Sequence, residues 1–261
     1  MEYLKYLIRQ DNIETASGET IEVFELSDCI DSSSFDKWAL HLRQQYCPDE
    51  IIDMLVHGSG LTKEEFLLKN KFPSETDGFG PGTRSGDFGE LLVADYLEYI
   101  LGYYVPRERY KNKFNRNSST QGTDVMAFKI IGENYSSKDE FVTFEVKAQA
   151  SNGAPKNCLQ NAVDDSYKDA IRKGESLNAL KQIFLEKHDL GSASIVERFQ
   201  NKPDRPYIER YGAAAVHTTN TFSEDLVKQV QIKDSKRWMI VIKKNNLMSL
   251  IHELYRRAAQ C

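Results

Sequence analysis

Hydrophobic and polar residues follow one another along this chain in a pattern that predicts both strands and helices. Near-continuous apolar runs at 141–150 and 211–216 predict buried strands, and the broad apolar face of 85–99 predicts a helix. We expect strands at 3–9, 19–26, 103–109, 122–128, 141–150, 207–218 and 237–243, and helices at 35–45, 48–57, 85–99, 157–173, 176–187, 222–230 and 246–260. Strands flanked by helices on both faces predict an α/β fold, with a mixed central sheet in a three-layer core.

The stretch 73–83 is dense in glycine, proline and small polar residues, which predicts a loop or linker. Residues 1–83 carry 7 Lys and Arg against 16 Asp and Glu, whereas residues 84–261 carry 27 against 23. The net charge of −5 therefore comes from an acidic first third of the chain. We predict an N-terminal α/β extension at 1–83, which docks a protein partner or masks the site, and a main domain at 84–261.

The composition favours a cytoplasmic protein. No stretch approaches the 18 consecutive apolar residues of a transmembrane helix, and the first residues lack the basic-then-apolar layout of a signal peptide. The cysteines are scattered without a Cys-x-x-Cys pair, at Cys29, Cys47, Cys158 and Cys261. Neither a zinc site nor a disulfide framework is indicated.

Two neighbouring predicted strands carry the residues that suggest chemistry. Glu145 and Lys147 lie two positions apart, and residues at that spacing share one face of a strand. Asp124 begins the preceding strand, and the polar stretch 132–140 between them predicts a hairpin. Two carboxylates brought close together repel each other and favour a hard divalent cation, beside which a lysine can hold the attacking water.

This Asp … Glu-x-Lys order resembles the PD-(D/E)xK superfamily of metal-dependent nucleases, whose core is like that of restriction endonucleases. Members of that superfamily often add an acidic residue from a preceding helix, and Glu90 occupies such a position in the predicted helix 85–99. Thr123 stands where the superfamily motif has proline. The resemblance implies the catalytic residues Glu90, Asp124, Glu145 and Lys147, and Mg²⁺ or Mn²⁺ held by Asp124, Glu145, the backbone carbonyl of Val146 and, for a second metal or through water, Glu90. An acid that merely stabilises a helix N-terminus is an equally good interpretation of Glu90 taken alone.

Five cations within ten residues precede the aspartate strand: Arg107, Arg109, Lys111, Lys113 and Arg116. They are interleaved with Tyr110 and Phe114, so the segment suits DNA phosphates or stacked bases, and a solvated loop is the alternative of equal weight. Three residues of the helix after the lysine are weaker candidates for the same cleft: Gln160, Tyr167 and Lys168. An ordinary amphipathic helix explains those three better.

The Ser-Gly-Asp-Phe-Gly-Glu-Leu-Leu helix start, the Gly-Thr-Asp strand, the Glu-Val-Lys strand and the acidic N-terminal segment together resemble the nuclease subunit of the Hachiman type of bacterial anti-phage defence. The resemblance implies a helicase partner and DNA as substrate. Two further interpretations remain: a restriction or repair nuclease that acts alone, and a non-catalytic subunit that docks DNA or protein.

Overall fold

A seven-stranded mixed sheet runs through the computed structural model, which describes residues 1–233 and 236–261. Across the sheet the strand order is β1-β3-β7-β6-β5-β4, with β2 also paired to β3. The strands β3, β7, β6 and β5 are mutually parallel, whereas β1, β2 and β4 are antiparallel to their neighbours. Their bounds are β1 (Leu7–Arg9), β2 (Ile13–Glu14), β3 (Thr20–Leu26), β4 (Val125–Lys129), β5 (Glu140–Gln149), β6 (Ile208–Thr218) and β7 (Trp238–Lys244).

Helices cover both faces of this sheet. One face packs against α1, α4 and α8, and the other packs against α5 and α7 over its central strands. The helices are α1 (Ser32–Tyr46), α2 (Asp49–Val56), α3 (Lys63–Phe66), α4 (Gly80–Asp95), α5 (Cys158–Glu186), α6 (Leu190–Glu197), α7 (Glu224–Lys228) and α8 (Leu247–Ala259). The expected α/β class, with a mixed central sheet flanked by helices, is confirmed. None of the helices in the described ranges is both long and apolar enough to cross a membrane.

Small residues at the sheet centre bring the layers close together. In β6 the residues Ala213 and Ala215 face α5, while Ala214 and Val216 face α4 and α8, and all four are inaccessible to solvent. Successive side chains of β6 therefore point to opposite faces of the sheet, and both faces are buried, as expected for a central parallel strand. In α4, a Cβ on Gly89 would lie 3.3 Å from Val146 in β5, so glycine there permits the close approach of helix and sheet.

The first 83 residues belong to the same sheet as the rest of the chain. The strand β3 lies between β1 and β7, and its residue Val23 pairs with Val241 across more than two hundred positions of sequence. The predicted boundary at residue 83 falls inside α4, which begins at Gly80. The predicted loop 73–83 is therefore wrong for its last four residues, because Pro81 stands in the first turn of a helix, where its missing N–H is not needed.

Other expectations also need correction. The predicted strand 103–109 is wrong, since it contributes only a single bridge between Tyr104 and Phe128. Most of the predicted strand 3–9 is instead a short 3-10 helix, Glu2–Tyr6, and the two helices predicted over 157–187 are one helix, α5. The short elements β2, α3 and α6 were not predicted. They have too few residues for a hydrophobic period to be visible.

Candidate functional site

The two predicted carboxylates of the hairpin do meet in the folded protein. Val125 in β4 pairs with Phe144 in β5. Extending the same antiparallel register by one position places Asp124, just ahead of β4, opposite Glu145. The backbone amide of Val146 donates a hydrogen bond of 2.9 Å to Asp124 Oδ2, which fixes the aspartate to the second strand. Both carboxylates are largely buried, so the cost of their charge has to be offset by partners.

Lys147 shares a face with Glu145, as the two-residue spacing predicted. Its Nζ donates to Glu145 Oε1 at 2.8 Å and also forms an ion pair of 2.7 Å with Asp165 Oδ2 on α5. Burial lowers the pKa of Lys147, but the hydrogen bonds to Asp165 and Glu145 outweigh it and raise the pKa above its usual range. The side chain therefore stays an ammonium and acts as a hydrogen-bond donor at neutral pH.

Glu90 reaches the same place from α4, and one arginine connects it to the hairpin. Arg109 Nε donates to Glu90 Oε2 at 2.8 Å, and Arg109 Nη2 donates to Asp124 Oδ1 at 2.8 Å. The hydroxyl of Tyr110 donates to the same oxygen of Glu90. The four residues that the sequence singled out therefore lie close together in the fold: Glu90, Asp124, Glu145 and Lys147.

Burial and mutual repulsion raise the pKa values of these carboxyls. Burial raises the pKa of Asp124 to about 7, with a further contribution from the negative charge of Glu90. The pKa of Glu145 is likewise raised to about 7, by burial and by Asp124. The pKa of Glu90 is also raised, mainly by its burial. The three acids thus carry more negative charge than their surroundings readily accommodate.

The donor set suits a hard divalent cation held by two carboxylates. Asp124 and Glu145 supply oxygen atoms from facing positions of two strands, and a divalent cation would offset the burial and the repulsion that raise their pKa values. Within residues 1–233 and 236–261, no three His, Cys, Asp or Glu side chains converge closely enough to form a metal cage. A magnesium-type site with two protein carboxylates and several waters fits this arrangement better than a site made of protein ligands alone.

A cleft of about 260 Å³ opens beside the carboxylates, between α4, α5 and the segment that joins α4 to β4. Glu90, Arg109 and Asp124 form its charged wall, and apolar side chains such as Leu91 and Met126 form the remainder. The site is therefore reached from a pocket that is partly apolar.

The five predicted DNA-binding cations all have partners inside the protein. Arg107 forms ion pairs with Asp95 and Glu98, and Lys113 forms a buried pair with Asp87. The predicted basic loop is thus not a row of free cations facing solvent. Any role of these residues in DNA binding stays a prediction.

The remaining two cations of that stretch are less deeply buried. Lys111 pairs with Glu108 at 2.8 Å, and Arg116 donates to the backbone carbonyls of Leu68 and Phe72. These contacts tie the segment after α4 to neighbouring parts of the fold. A local pattern of basic residues cannot reveal the contacts of Arg116, because the carbonyls that accept them lie more than forty residues earlier in the sequence.

Three residues of α5 belong to the site and were not predicted. Besides Asp165, the helix contributes Asp169, which accepts a hydrogen bond of 3.0 Å from the Thr123 hydroxyl, and Arg172, which lies 3.4 Å from Glu145 Oε2. Positions 165, 169 and 172 are spaced by four and three residues, so they share one helix face. That periodicity of charged residues was the available signal.

Of the three weaker candidates on α5, one contacts the site. Lys168 forms an ion pair with Asp165, the partner of Lys147. Gln160 bonds the backbone of Gln231, and Tyr167 accepts a hydrogen bond from the backbone amide of Lys233. Gln160 and Tyr167 therefore connect α5 to the segment after α7.

Fold and site together define a mixed α/β protein with three carboxylates and a lysine gathered at one edge of its sheet. The family model HamA matches residues 1–258, so the chain belongs to the HamA family. It is therefore a component of the Hachiman type of defence system, as the sequence motifs had indicated. No curated protein matches the sequence.

Proposed function

We propose that this chain is a metal-dependent nuclease, which hydrolyses DNA phosphodiester bonds as the effector of a Hachiman defence complex. The observation that carries the proposal is the convergence of Glu90, Asp124, Glu145 and Lys147, from one helix and two strands, with Glu90 and Asp124 lining an open cleft. Buried acids at raised pKa values beside a cleft are a feature of many catalytic sites. This supports membership of the PD-(D/E)xK superfamily.

In this proposal Asp124 and Glu145, with the backbone carbonyl of Val146, hold Mg²⁺ or Mn²⁺. The bound cation supplies Lewis-acid stabilisation of the charge that develops on the phosphate and lowers the pKa of a bound water. Glu90 adds negative charge near the cation, directly or through water. The roles of the other side chains follow from their hydrogen bonds.

Lys147 acts as a donor in this mechanism. Its ammonium lies between Glu145 Oε1 and Asp165 Oδ2, so its position is fixed from a strand and a helix at once. With its pKa above the usual range, it keeps its proton and orients the attacking water or a phosphate oxygen by hydrogen bonding. Asp165 serves as the positioning residue that holds Lys147 beside Glu145.

The surface of the acidic N-terminal segment, residues 1–83, supports a helicase partner. The helix α2 exposes Ile51, Met54 and Leu55 to solvent. Asp49 and Glu50 lie in the first turn of the same helix. An exposed apolar face bordered by acids suits a protein partner with a complementary basic rim better than it suits DNA, whose phosphates the acids would repel.

The proposed activity is tested by cleavage of linear duplex, closed circular and single-stranded DNA. Purified protein, alone and with the proposed helicase, would be assayed with Mg²⁺, with Mn²⁺ and with EDTA. We expect cation-dependent cleavage that Asp124→Asn, Glu145→Gln and Lys147→Met each reduce by at least about a hundredfold, which is the usual cost of removing a group that acts in the transition state.

Glu140→Gln is the matched control, because Glu140 is a partly buried carboxylate on the same strand whose partners are Arg210 and Tyr103. It should cleave at nearly the wild-type rate. Cleavage by Glu145→Gln at the rate of Glu140→Gln would refute the assignment of the site. Cleavage that persists in EDTA would refute the metal dependence.

A further inference from the structure

Arg109 occupies the place between two of the acids of the site. Its guanidinium donates to Glu90 through Nε and to Asp124 through Nη2, both at 2.8 Å. The other oxygen of Asp124 accepts from the amide of Val146. Each oxygen of Asp124 therefore already accepts a hydrogen bond, and the positive charge between Glu90 and Asp124 is an arginine.

The same guanidinium also closes the segment that leads into β4. Arg109 Nη1 donates to the carbonyls of Thr123 at 2.6 Å and Gln121 at 3.4 Å, and Nη2 donates to the carbonyl of Thr120 at 3.2 Å. With the two carboxylates, these contacts use all five N–H groups of the side chain. Between the short π-helix Tyr96–Ile100 and β4, the described chain has no helix or strand. These hydrogen bonds therefore help to hold the segment in place.

Glu145 differs from the other two acids, because Arg109 does not contact it. Its carboxylate is held by Lys147 at 2.8 Å and by Arg172 at 3.4 Å. A cation at the site therefore competes with Lys147 and Arg172 for Glu145, and with the Arg109 guanidinium for Asp124 and Glu90 together. Two positive charges cannot share one carboxylate oxygen at hydrogen-bond distance without strong repulsion.

We propose that Arg109 is a built-in counter-ion, and that a divalent cation binds the site only when this side chain withdraws from Asp124. The described conformation is then the closed form of the site, and the Arg109 side chain is the part that moves when the site opens. This inference rests on the metal site of the proposed function. It adds that Arg109 competes with the divalent cation and so controls whether the cation binds.

Manganese binding to the full-length chain measures this competition without any cleavage assay. Isothermal titration calorimetry with MnCl₂ would compare the wild type with Arg109→Gln and Arg107→Gln. Arg107 is a matched control, since it lies on the same segment, has the same exposure of 15%, and bridges two acids, Asp95 and Glu98, outside the site.

We expect Arg109→Gln to bind Mn²⁺ at least about tenfold more tightly than the wild type, because a single charge-assisted hydrogen bond is worth at least about that factor. Arg107→Gln should bind with the wild-type affinity. Added Mn²⁺ should also raise the thermal midpoint of Arg109→Gln more than that of the wild type, because a ligand that binds more tightly stabilises the folded state more at the same concentration.

A second variant, Arg109→Lys, covers the case in which the glutamine variant does not fold. A lysine keeps the charge but lacks the planar fork that bridges two carboxylates, so its Mn²⁺ affinity should also exceed that of the wild type. Unchanged or weaker affinity in the folded Arg109 variants would overturn the proposal. An equal gain in Arg107→Gln would also overturn it, because the effect would then be a general loosening of the segment.

Asp124→Asn separates this inference from the proposed function. If Asp124→Asn abolishes Mn²⁺ binding while the Arg109 variants bind as the wild type does, the metal site stands and the competition fails. If neither the wild type nor any Arg109 variant binds Mn²⁺ at millimolar concentration, both the metal site and the competition fail.

Discussion

Replacing Lys113 with methionine should destabilise the protein strongly, although the sequence suggests a residue that touches DNA. Lys113 forms a buried ion pair with Asp87, whose carboxylate also accepts a hydrogen bond of 2.6 Å from the Tyr46 hydroxyl. The exposed fractions of the Lys113 and Asp87 side chains are only 5% and 4%. Methionine retains most of the apolar stem, so the change isolates the loss of the charge.

The expected loss follows from the carboxylate that remains. Removing one partner of a buried pair costs about 3–5 kcal/mol, because an uncompensated charge stays in the interior. For a chain of this size each kcal/mol lowers the melting temperature by roughly 2–4 °C, so the midpoint should fall by roughly 6–20 °C. Burial already raises the pKa of Asp87. The loss should therefore be larger at pH 8 than at pH 5, where the carboxyl can be protonated.

Lys111→Met is the control for this prediction, because Lys111 forms a more exposed pair with Glu108. It should cost less than about 1 kcal/mol. Urea and thermal unfolding, followed by circular dichroism, measure both variants, and Asp87→Asn added to Lys113→Met should restore part of the stability. Equal stability of the two lysine variants would refute the reasoning. A structural role for Lys113 also predicts an unchanged salt dependence of DNA binding below the melting temperature, whereas a phosphate contact predicts a reduced slope.

Three further outcomes can be checked by unfolding or expression. Gly212→Ala should destabilise the fold by about 2 kcal/mol or more, because its Cβ would lie 2.5 Å from the Phe144 ring. Gly86→Ala, in an open helical position, should be neutral or stabilising by up to about 1 kcal/mol. Chemical denaturation compares the two variants. Burial lowers the pKa of His217 to about 4, so the unfolded chain binds its proton first as the pH falls, and about 2 kcal/mol of stability should be lost between pH 7 and 5. His217→Leu should lose less over that range, and parallel curves for both proteins would contradict this. A chain lacking residues 1–83 should be insoluble, since β7 loses its neighbour β3; a soluble, cooperatively unfolding fragment would contradict the single sheet.

The part of the site that the sequence predicted is the part governed by strand alternation. Glu145 and Lys147 share a face because side chains two apart in a strand must do so, and antiparallel pairing then brings Asp124 opposite Glu145. These relations are local, so a short window of sequence contains them.

The contacts that the sequence did not predict join distant segments. Arg109 reaches Glu90 and Asp124 from an irregular segment, where no period predicts the direction of a side chain. In the acidic N-terminal segment, strand β3 pairs with β7 near the other end of the chain. The charge composition suggested a separate N-terminal extension, whereas the backbone of this segment belongs to the same sheet as the rest. Short-range patterns specify elements and faces, whereas parallel pairing over long loops depends on how whole elements pack.

The most direct test of the central claim is the position of a bound cation. Crystals of the full-length protein grown with MnCl₂ would be measured at the manganese absorption edge, and the anomalous difference map would locate the ion. We expect a peak in contact with the carboxylates of Asp124 and Glu145, and the same preparation should cleave DNA when Mn²⁺ is present and not in EDTA. A preparation that cleaves DNA while its manganese lies elsewhere, or while no manganese binds, would contradict the account.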